Sequence, residues 1–189
     1  ATYLMDNFAQ EYNAKNIAQA FGVSDHTIDT YCRYLQEAFL LFAVHKFSYK
    51  SSERIRGEKL YVVDTAFISN RPHTFSLQNM GWRLENVVLV ELLHRTGRRY
   101  ADVFYYRDRT FEVDFLVAKG GVVESLYQVC YDMSDAKTRK REINGLLQGA
   151  RKFHCSDLTI ITFSQTETII AEDQTIHVVP APRWLSIVH

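Results

Sequence analysis

The chain has 189 residues, of which 47% are hydrophobic and 23% charged. This is the composition of an ordinary globular protein, long enough for one sizeable domain or for a small and a medium one. The 22 Lys and Arg balance the 22 Asp and Glu, so net charge favours neither a nucleic acid nor a membrane as partner. The three cysteines, Cys32, Cys130 and Cys155, are odd in number and widely spaced, which supports neither a disulfide framework nor a zinc motif. No apolar run has spanning length and no signal-peptide pattern occurs, so we expect a cytoplasmic protein without a membrane partner.

Residues 14–47 have the pattern of two helices followed by a strand. A short helix over 14–21 ends at Gly22, which permits a tight turn, and Ser24 or Asp25 can cap a longer second helix. The run at 40–44 reads as a buried strand. In the second helix, apolar residues at helical spacing predict a core face, and they are Ile28, Tyr31, Cys32 and Leu35. Helix, turn, helix and strand in this order predict a winged helix-turn-helix-like module.

Such a module can place its second helix in a DNA major groove. Exposed positions on this helix include Asp25, Asp29 and Arg33. This face is more acidic than expected for a helix that contacts the DNA phosphates. Arg33 and Lys46, the latter in a basic wing, are the candidate DNA contacts. The alternative is a small packing or protein-interaction module. The polar stretch 48–57 is a linker or the wing itself, and we therefore predict domains at 1–57 and 58–189.

The stretch KLYVVD, residues 59–64, is predicted to be a short strand that ends in an acid. A Walker B element has this form, but it requires a phosphate loop, and no GxxxxGK[ST] motif occurs in the chain. Asp64 is therefore predicted to cap a turn at the end of the strand. We therefore expect that this chain by itself binds no nucleotide cofactor.

A largely apolar helix is predicted over 81–95, and Glu85 is its most informative residue. Glu85 shares a face with Trp82, Leu89 and Leu92, so its carboxylate should point into the core. A buried carboxylate requires a metal or a protein partner. Glu85 is thus either a metal ligand or a structural acid that forms a salt bridge, to Arg83 or Arg95, or caps a neighbouring backbone.

Three strands are predicted to follow as an antiparallel meander, at 103–107, 111–118 and 126–131. Side chains alternate along a strand, so Asp114 shares a face with Glu112, and Gln128 shares one with Cys130. If these strands pair, Asp114, Gln128 and Cys130 converge below Glu85.

A helical Glu, an Asp on one strand and an acid-x-Lys pair on the next resemble the PD-(D/E)xK, restriction-endonuclease-like nucleases. The whole chain also resembles the C-terminal region of bacterial and archaeal AAA-type ATPases, which contains a domain of unknown function. The segments that carry this resemblance are KLYVVDTAFIS, LENVVLVELLHRTG, EVDFLVAK and YQVCYD. The resemblance implies an α/β fold with a mixed sheet flanked by helices, a small winged-helix-like module before it, and an ATPase domain upstream of Ala1 that would bind ATP.

Carried over from the nucleases, Glu85 and Asp114 match the metal-binding acids. Gln128 stands in place of the second metal carboxylate and Cys130 in place of the lysine. An amide brings no charge to Mg²⁺, and a neutral thiol cannot stabilise a developing phosphorane. We therefore expect a degenerate site, with Mg²⁺ bound only if nuclease activity persists.

The helix predicted over 134–153 combines an apolar stripe with a basic face, on which Glu142 is the single acid. A solvated face accounts for this charge; contact with a phosphate backbone or an acidic partner is the alternative. The candidate nucleic-acid contacts on this helix are Lys137, Arg139, Lys140 and Arg141.

Taken together, these patterns predict a non-catalytic binding or regulatory C-terminal region of an ATPase-like protein, with DNA as a candidate partner. A metal-dependent nuclease with a degenerate site and a protein-interaction or self-association module are the two alternatives.

Overall fold

The computed structural model describes residues 3, 9–50, 57–69, 77–97 and 102–187, without the side chains of residues 68, 69 and 77–79. The N-terminal part has the element order β1 (Gln10–Glu11), α1 (Ala14–Phe21), α2 (Asp25–Glu37), β2 (Leu41–His45) and β3 (Glu58–Val62). The three strands form an antiparallel sheet in the order β1-β3-β2.

Local signals in the sequence define the two N-terminal helices. The Asn13 side chain caps α1 by accepting the Asn16 N–H at 3.1 Å, and α1 ends at Gly22 in the left-handed region, at φ 66°. The Ser24 hydroxyl caps α2 by accepting the Thr27 N–H at 3.1 Å, as predicted. The predicted core face of α2 is wrong at Tyr31, which is 59% exposed, while Cys32 is buried.

The second half of the chain contains a six-stranded mixed sheet. Its helices are α3 (Ala66–Ser69), α4 (Leu77–Gly97), α5 (Ala136–Phe153) and α6 (Ala181–Leu185). Its strands are β4 (Asp102–Arg107), β5 (Glu112–Lys119), β6 (Val122–Cys130), β7 (Leu158–Thr162), β8 (Glu167–Ala171) and β9 (Gln174–Pro180). The strand order is β4-β5-β6-β7-β9-β8, antiparallel in the meander β4-β5-β6, parallel for β6-β7-β9, and antiparallel again at β8. The predicted α/β class with a mixed sheet and flanking helices is confirmed.

Hydrophobic cores lie on both faces of this sheet. On one face, α4 contributes Val88, Leu89 and Leu92 to a core that also contains Leu41 and Leu60 of the N-terminal sheet. On the other, α5 packs its apolar stripe on Leu126 and Leu158, and the stripe residues are Leu146, Leu147, Ala150 and Phe153. The helices thus cover the sheet on opposite sides, and the N-terminal part shares the α4 core.

The two sheets meet where β2 ends. Lys46 forms a parallel bridge with Tyr105 of β4, and the Phe47 N–H donates to the Tyr105 carbonyl at 2.7 Å. β3 lies beyond the predicted boundary at residue 57 and pairs with β2. Residues 51–56, the centre of the predicted linker or wing, lie outside the described residues. Within the described ranges, no helix is long and apolar enough to cross a membrane.

Candidate functional site

The polar centre begins at an irregularity in β5. Phe104 of β4 pairs with Leu116 of β5, and Tyr106 pairs with Val113. The two paired positions are two residues apart on β4 but three residues apart on β5, which is the pattern of a β-bulge. Pairing of β5 with β6 extends only to Phe115, opposite Tyr127. The bulge places Asp114 beside the open end of this strand pair.

Asp114 and Gln128 replace the missing ladder bonds with bonds between side chain and backbone. The Asp114 N–H donates to Gln128 Oε1 at 2.8 Å, and the Val129 N–H donates to Asp114 Oδ2 at 2.8 Å. The predicted convergence of Asp114 and Gln128 is therefore present. Both side chains serve the backbone of the neighbouring strand.

Glu85 reaches the same centre from α4. It is 8% exposed, as its helical face predicts, and the Tyr61 hydroxyl donates to its Oε1 at 2.7 Å. The Lys59 ammonium lies 3.6 Å from that oxygen and donates to Glu112 Oε1 at 2.9 Å. Lys59 and Tyr61 are therefore the partners of Glu85. Arg95, one of the two predicted partners, instead binds Glu91 at 2.7 Å.

Gln128 is bonded on its amide nitrogen as well. Its Nε2 donates to the Glu112 carbonyl at 3.2 Å and to Glu142 Oε2 at 3.0 Å. A Cβ built on Gly145 of α5 would lie only 2.7 Å from that nitrogen, so glycine permits the helix to approach. Gln128 is thereby fixed in one orientation between β5 and α5.

Glu142 corrects the prediction for α5. We expected it to be the single acid on an exposed basic face, but it is 4% exposed. Its carboxylate accepts hydrogen bonds from Gln128 and from Arg141, whose guanidinium lies 2.5 Å away. It is thus a further acid near the predicted site.

The buried acids resist ionisation because burial disfavours their charged form. Burial raises the pKa of Asp114 to about 7, and the Glu85 charge adds to the rise while Lys59 opposes it. Burial likewise raises the pKa of Glu142 to about 7, with Asp114 adding to it. Burial also raises the pKa of Glu85, against the effect of Lys59.

Lys59 itself remains charged. Burial alone would lower its pKa, but Glu85, Asp114 and Glu112 outweigh burial and hold the pKa above its ordinary value. Its side chain is only 5% exposed. Lys59 is thus the buried cation that faces Glu85, Glu112 and Asp114, while Arg141 pairs with Glu142.

The side chains of the centre are bonded mainly to one another and to the backbone. Among the described residues, no group of three or more His, Cys, Asp or Glu is arranged to hold a metal. Glu85 accepts from Tyr61, Asp114 accepts from Val129, and the Gln128 carbonyl accepts from Asp114. Mg²⁺ requires an octahedral shell of oxygens, and one oxygen of each of these three side chains already accepts a bond from the protein.

Cys130, the position of the nuclease lysine, is a buried thiol. It is 7% exposed and its Sγ donates to the Asp132 carbonyl at 3.2 Å. Burial raises its pKa to about 11, so the thiol stays protonated near neutral pH. It supplies neither a cation nor a nucleophile at that pH.

The centre opens into a cavity of about 710 Å³ with arginines along its lining. The acids Glu85, Asp114 and Glu142 line it together with Lys59, and its arginines are Arg107, Arg109 and Arg141. The cavity is large enough for a small ligand.

The predicted nucleic-acid contacts lie on α5 and on the N-terminal part. Arg139 forms a two-pronged ion pair with Glu167, with both distances 2.7 Å. Lys137 and Lys140 are exposed on α5. On the N-terminal part, Arg33 lies 3.8 Å from Glu37, and Lys46 lies 5.9 Å from the centre of the Tyr106 ring.

Sequence reasoning missed three members of the centre, namely Lys59, Tyr61 and Glu142. Lys59 and Tyr61 alternate with Leu60 and Val62 along β3, and all four residues are buried. The alternation places Lys59 and Tyr61 on one face of the strand. A lysine at the start of a strand, however, is usually expected to be exposed to solvent. Glu142 precedes Gly145 and Leu146 by one helical turn, which was the available signal for its burial.

These observations define a mixed α/β protein with a buried polar centre between two helices. Residues 1–73 match a domain of unknown function, DUF8612. The chain is 33% identical over 192 residues to an uncharacterized protein of Methanocaldococcus jannaschii, covering 96% of this chain and 42% of that protein. It is 28% identical over 142 residues to an uncharacterized protein of Haemophilus influenzae, covering 70% of this chain and 33% of that protein.

The chain thus spans 42% and 33% of the lengths of these two relatives. No solved structure matches the chain with significance.

Proposed function

We propose that residues 58–189 form a restriction-endonuclease-like domain that has lost catalysis and now serves in binding or regulation. One observation carries this proposal: the Lys59 ammonium lies among the carboxylates, 3.6 Å from Glu85 and 2.9 Å from Glu112. In a metal-dependent nuclease, a divalent cation would neutralise such acids. Here a side chain of the protein supplies the positive charge.

The polar centre then has a structural role. It joins β3, α4, β5, β6 and α5 through bonds to buried acids, and removal of any single partner would leave an acid uncompensated. The bond from the Val129 N–H to Asp114 and the bond from the Asp114 N–H to Gln128 close the end of the β5-β6 ladder.

A cleavage assay tests the loss of catalysis. Plasmid and single-stranded DNA, and RNA, would be incubated with the protein and Mg²⁺ or Mn²⁺, with Asp114→Ala as the matched control. We expect no cleavage above that of the control. Metal-dependent cleavage that disappears in Asp114→Ala would support the alternative, a nuclease with an unusual site.

We propose further that the chain is the C-terminal part of an AAA-type ATPase-like protein, with a winged-helix-like module before the α/β domain. The element order of two helices followed by the β2-β3 pair supports that module. The greater length of the relatives leaves room for a further domain. A phosphate loop in the intact reading frame tests the idea, and an intact frame without one would contradict it.

DNA contact would use the exposed lysines of α5 together with Arg33 and Lys46 of the N-terminal part. Since Arg139 and Arg141 are engaged with Glu167 and Glu142, the informative variant is Lys137→Gln with Lys140→Gln. Gel shifts with duplex DNA should weaken in this variant and keep their affinity in Lys15→Gln with Lys119→Gln, an equal charge change at exposed positions. Equal affinity of both variants would contradict contact through α5.

Exposed aromatic side chains favour a second candidate function, protein interaction. Phe21, Tyr31, Tyr34 and Phe39 of the α1-α2 region are 57%, 59%, 53% and 73% exposed. Phe39 also adopts a positive φ of 55°, which is uncommon for a bulky residue and occurs at functional sites. Tyr31→Ser with Phe39→Ser should abolish self-association, measured by analytical ultracentrifugation, if this surface mediates it. Unchanged association would argue against that role.

A further inference from the structure

A second cavity, of about 840 Å³, lies between the N-terminal part and the six-stranded sheet. Lys46 and Tyr49 line it from one side, and Tyr106 and Lys152 from the other. Among the residues that the structure describes, none lines both this cavity and the one at Lys59. Its volume falls within the range of about 300–1,000 Å³ that is usual for small-molecule and cofactor sites.

Two lysines converge on one ring at this cavity. The Lys46 and Lys152 ammonium groups lie 5.9 Å and 4.8 Å from the centre of the Tyr106 ring. Asp108 lies 3.5 Å from Lys152, but its carboxylate also accepts four hydrogen bonds, from Tyr106, Phe111 and twice from Thr110.

Glu11 is the one acid among the described residues of the lining. The converging lysines therefore favour an anionic ligand group.

Aromatic residues give the cavity an apolar wall. Tyr49 is 64% exposed and contacts Phe47 in an edge arrangement, with ring centres 5.1 Å apart and planes at 79°. Most of the Tyr49 ring is thus accessible to a planar group, and stacking of a base on an aromatic ring is a recurrent mode of nucleotide recognition.

Tyr105 lines the cavity and carries a polar group without a partner. The residue is 0% exposed, and its hydroxyl has no hydrogen-bond partner in the described part of the chain. A buried hydroxyl without a partner is costly, and such groups require an explanation. A polar ligand atom at the base of the cavity would supply the missing bond.

We propose that this cavity binds a nucleotide, with its phosphate between Lys46 and Lys152 and its base against Tyr49. The Tyr105 hydroxyl would bond to a polar atom of the ligand. The nucleotide is either free or part of a single strand, since both sources offer the same chemistry. This proposal goes beyond the function above, because it requires neither cleavage nor the exposed Lys137 and Lys140 of α5.

Isothermal titration calorimetry with ATP, AMP, adenosine and pyrophosphate tests the site. We expect a nucleotide to bind at least about tenfold more tightly than adenosine or pyrophosphate, because only the nucleotide engages both the lysines and the aromatic wall. Lys46→Gln with Lys152→Gln should weaken nucleotide binding by about tenfold or more, the usual scale for lost charge-assisted hydrogen bonds. Lys15→Gln with Lys119→Gln is the charge-matched control at exposed positions outside the cavity.

Tyr49→Ala is a second variant whose folding is not at risk, because Tyr49 is largely exposed. It should reduce the preference for nucleotide over pyrophosphate while leaving pyrophosphate binding unchanged. A short oligothymidylate titrated in parallel distinguishes the sources, since tighter binding of the oligomer than of a mononucleotide assigns the site to single strands. No nucleotide or oligomer binding at millimolar concentration, or equal losses in the lysine variant and its control, would overturn the proposal.

Discussion

Replacement of Lys59 by Met removes the buried cation while retaining a chain of similar length. Lys59 is 5% exposed in its side chain and faces the carboxylates of Glu85, Glu112 and Asp114. Breaking a buried ion pair by removal of one partner costs about 3–5 kcal/mol. We therefore expect the free energy of unfolding to fall by about that amount at pH 8, and the melting temperature to fall by about 10 °C.

The cost should depend on pH in a particular direction. Without Lys59, the raised pKa values of Glu85 and Asp114 should rise further, so these acids can take up protons as the pH falls. Protonation removes the uncompensated charge, and the loss in Lys59→Met should therefore be smaller at pH 5 than at pH 8.

Urea denaturation at both pH values measures this effect, with Lys119→Met as the control. Lys119 is exposed at the end of β5, so its replacement should cost less than about 0.5 kcal/mol. An equal loss for Lys59→Met and Lys119→Met at pH 8 would refute the assignment of Lys59 as the internal counterion. A loss independent of pH would refute the proposed coupling to the acids.

Three further variants test the remaining contacts of the centre. Asp114→Asn should raise the free energy of unfolding by about 1–3 kcal/mol at pH 8 and have little effect below pH 4. The reason is that folding raises the pKa of Asp114 from 3.8 to about 7, so the wild-type protein loses stability as the pH rises through that range. Identical pH profiles of stability for the wild type and the variant would contradict this. Gln128→Glu places a carboxylate against Glu142 and should lower the free energy of unfolding at pH 8, measured by urea denaturation, by about 2 kcal/mol or more. An unchanged free energy of unfolding would contradict the contact. Tyr61→Phe should lower the free energy of unfolding by about 1–3 kcal/mol, because it removes a hydrogen-bond donor to a buried carboxylate. Tyr105→Phe should leave the free energy of unfolding nearly unchanged without ligand. Similar melting temperatures of the two variants would argue against the difference between the two hydroxyls.

Much of the fold could be predicted because its signals are local. Helix caps at Ser24 and the apolar stripe of α5 follow from nearest neighbours and from helical period. The alternation and turns of the meander predicted β4, β5 and β6. The inward orientation of Glu85 followed from its spacing to Leu89 and Leu92.

The composition of the centre could not be predicted to the same depth because it depends on contacts between distant segments. Lys59 and Glu112 are 53 residues apart, and their bond requires the N-terminal sheet to pack on the larger one. The bulge at Asp114 left no mark in the alternation pattern. Tyr31 shows the opposite error, since its helical spacing matches the core face but the residue is 59% exposed.

The most direct test of the account is a titration of Mn²⁺ into the wild-type protein at pH 7.5, followed by calorimetry and electron paramagnetic resonance. If Lys59 supplies the positive charge of the centre, no stoichiometric Mn²⁺ site that depends on Asp114 should appear. One Mn²⁺ bound per chain at micromolar concentration, and lost in Asp114→Asn, would contradict the claim that the protein neutralises its own acids.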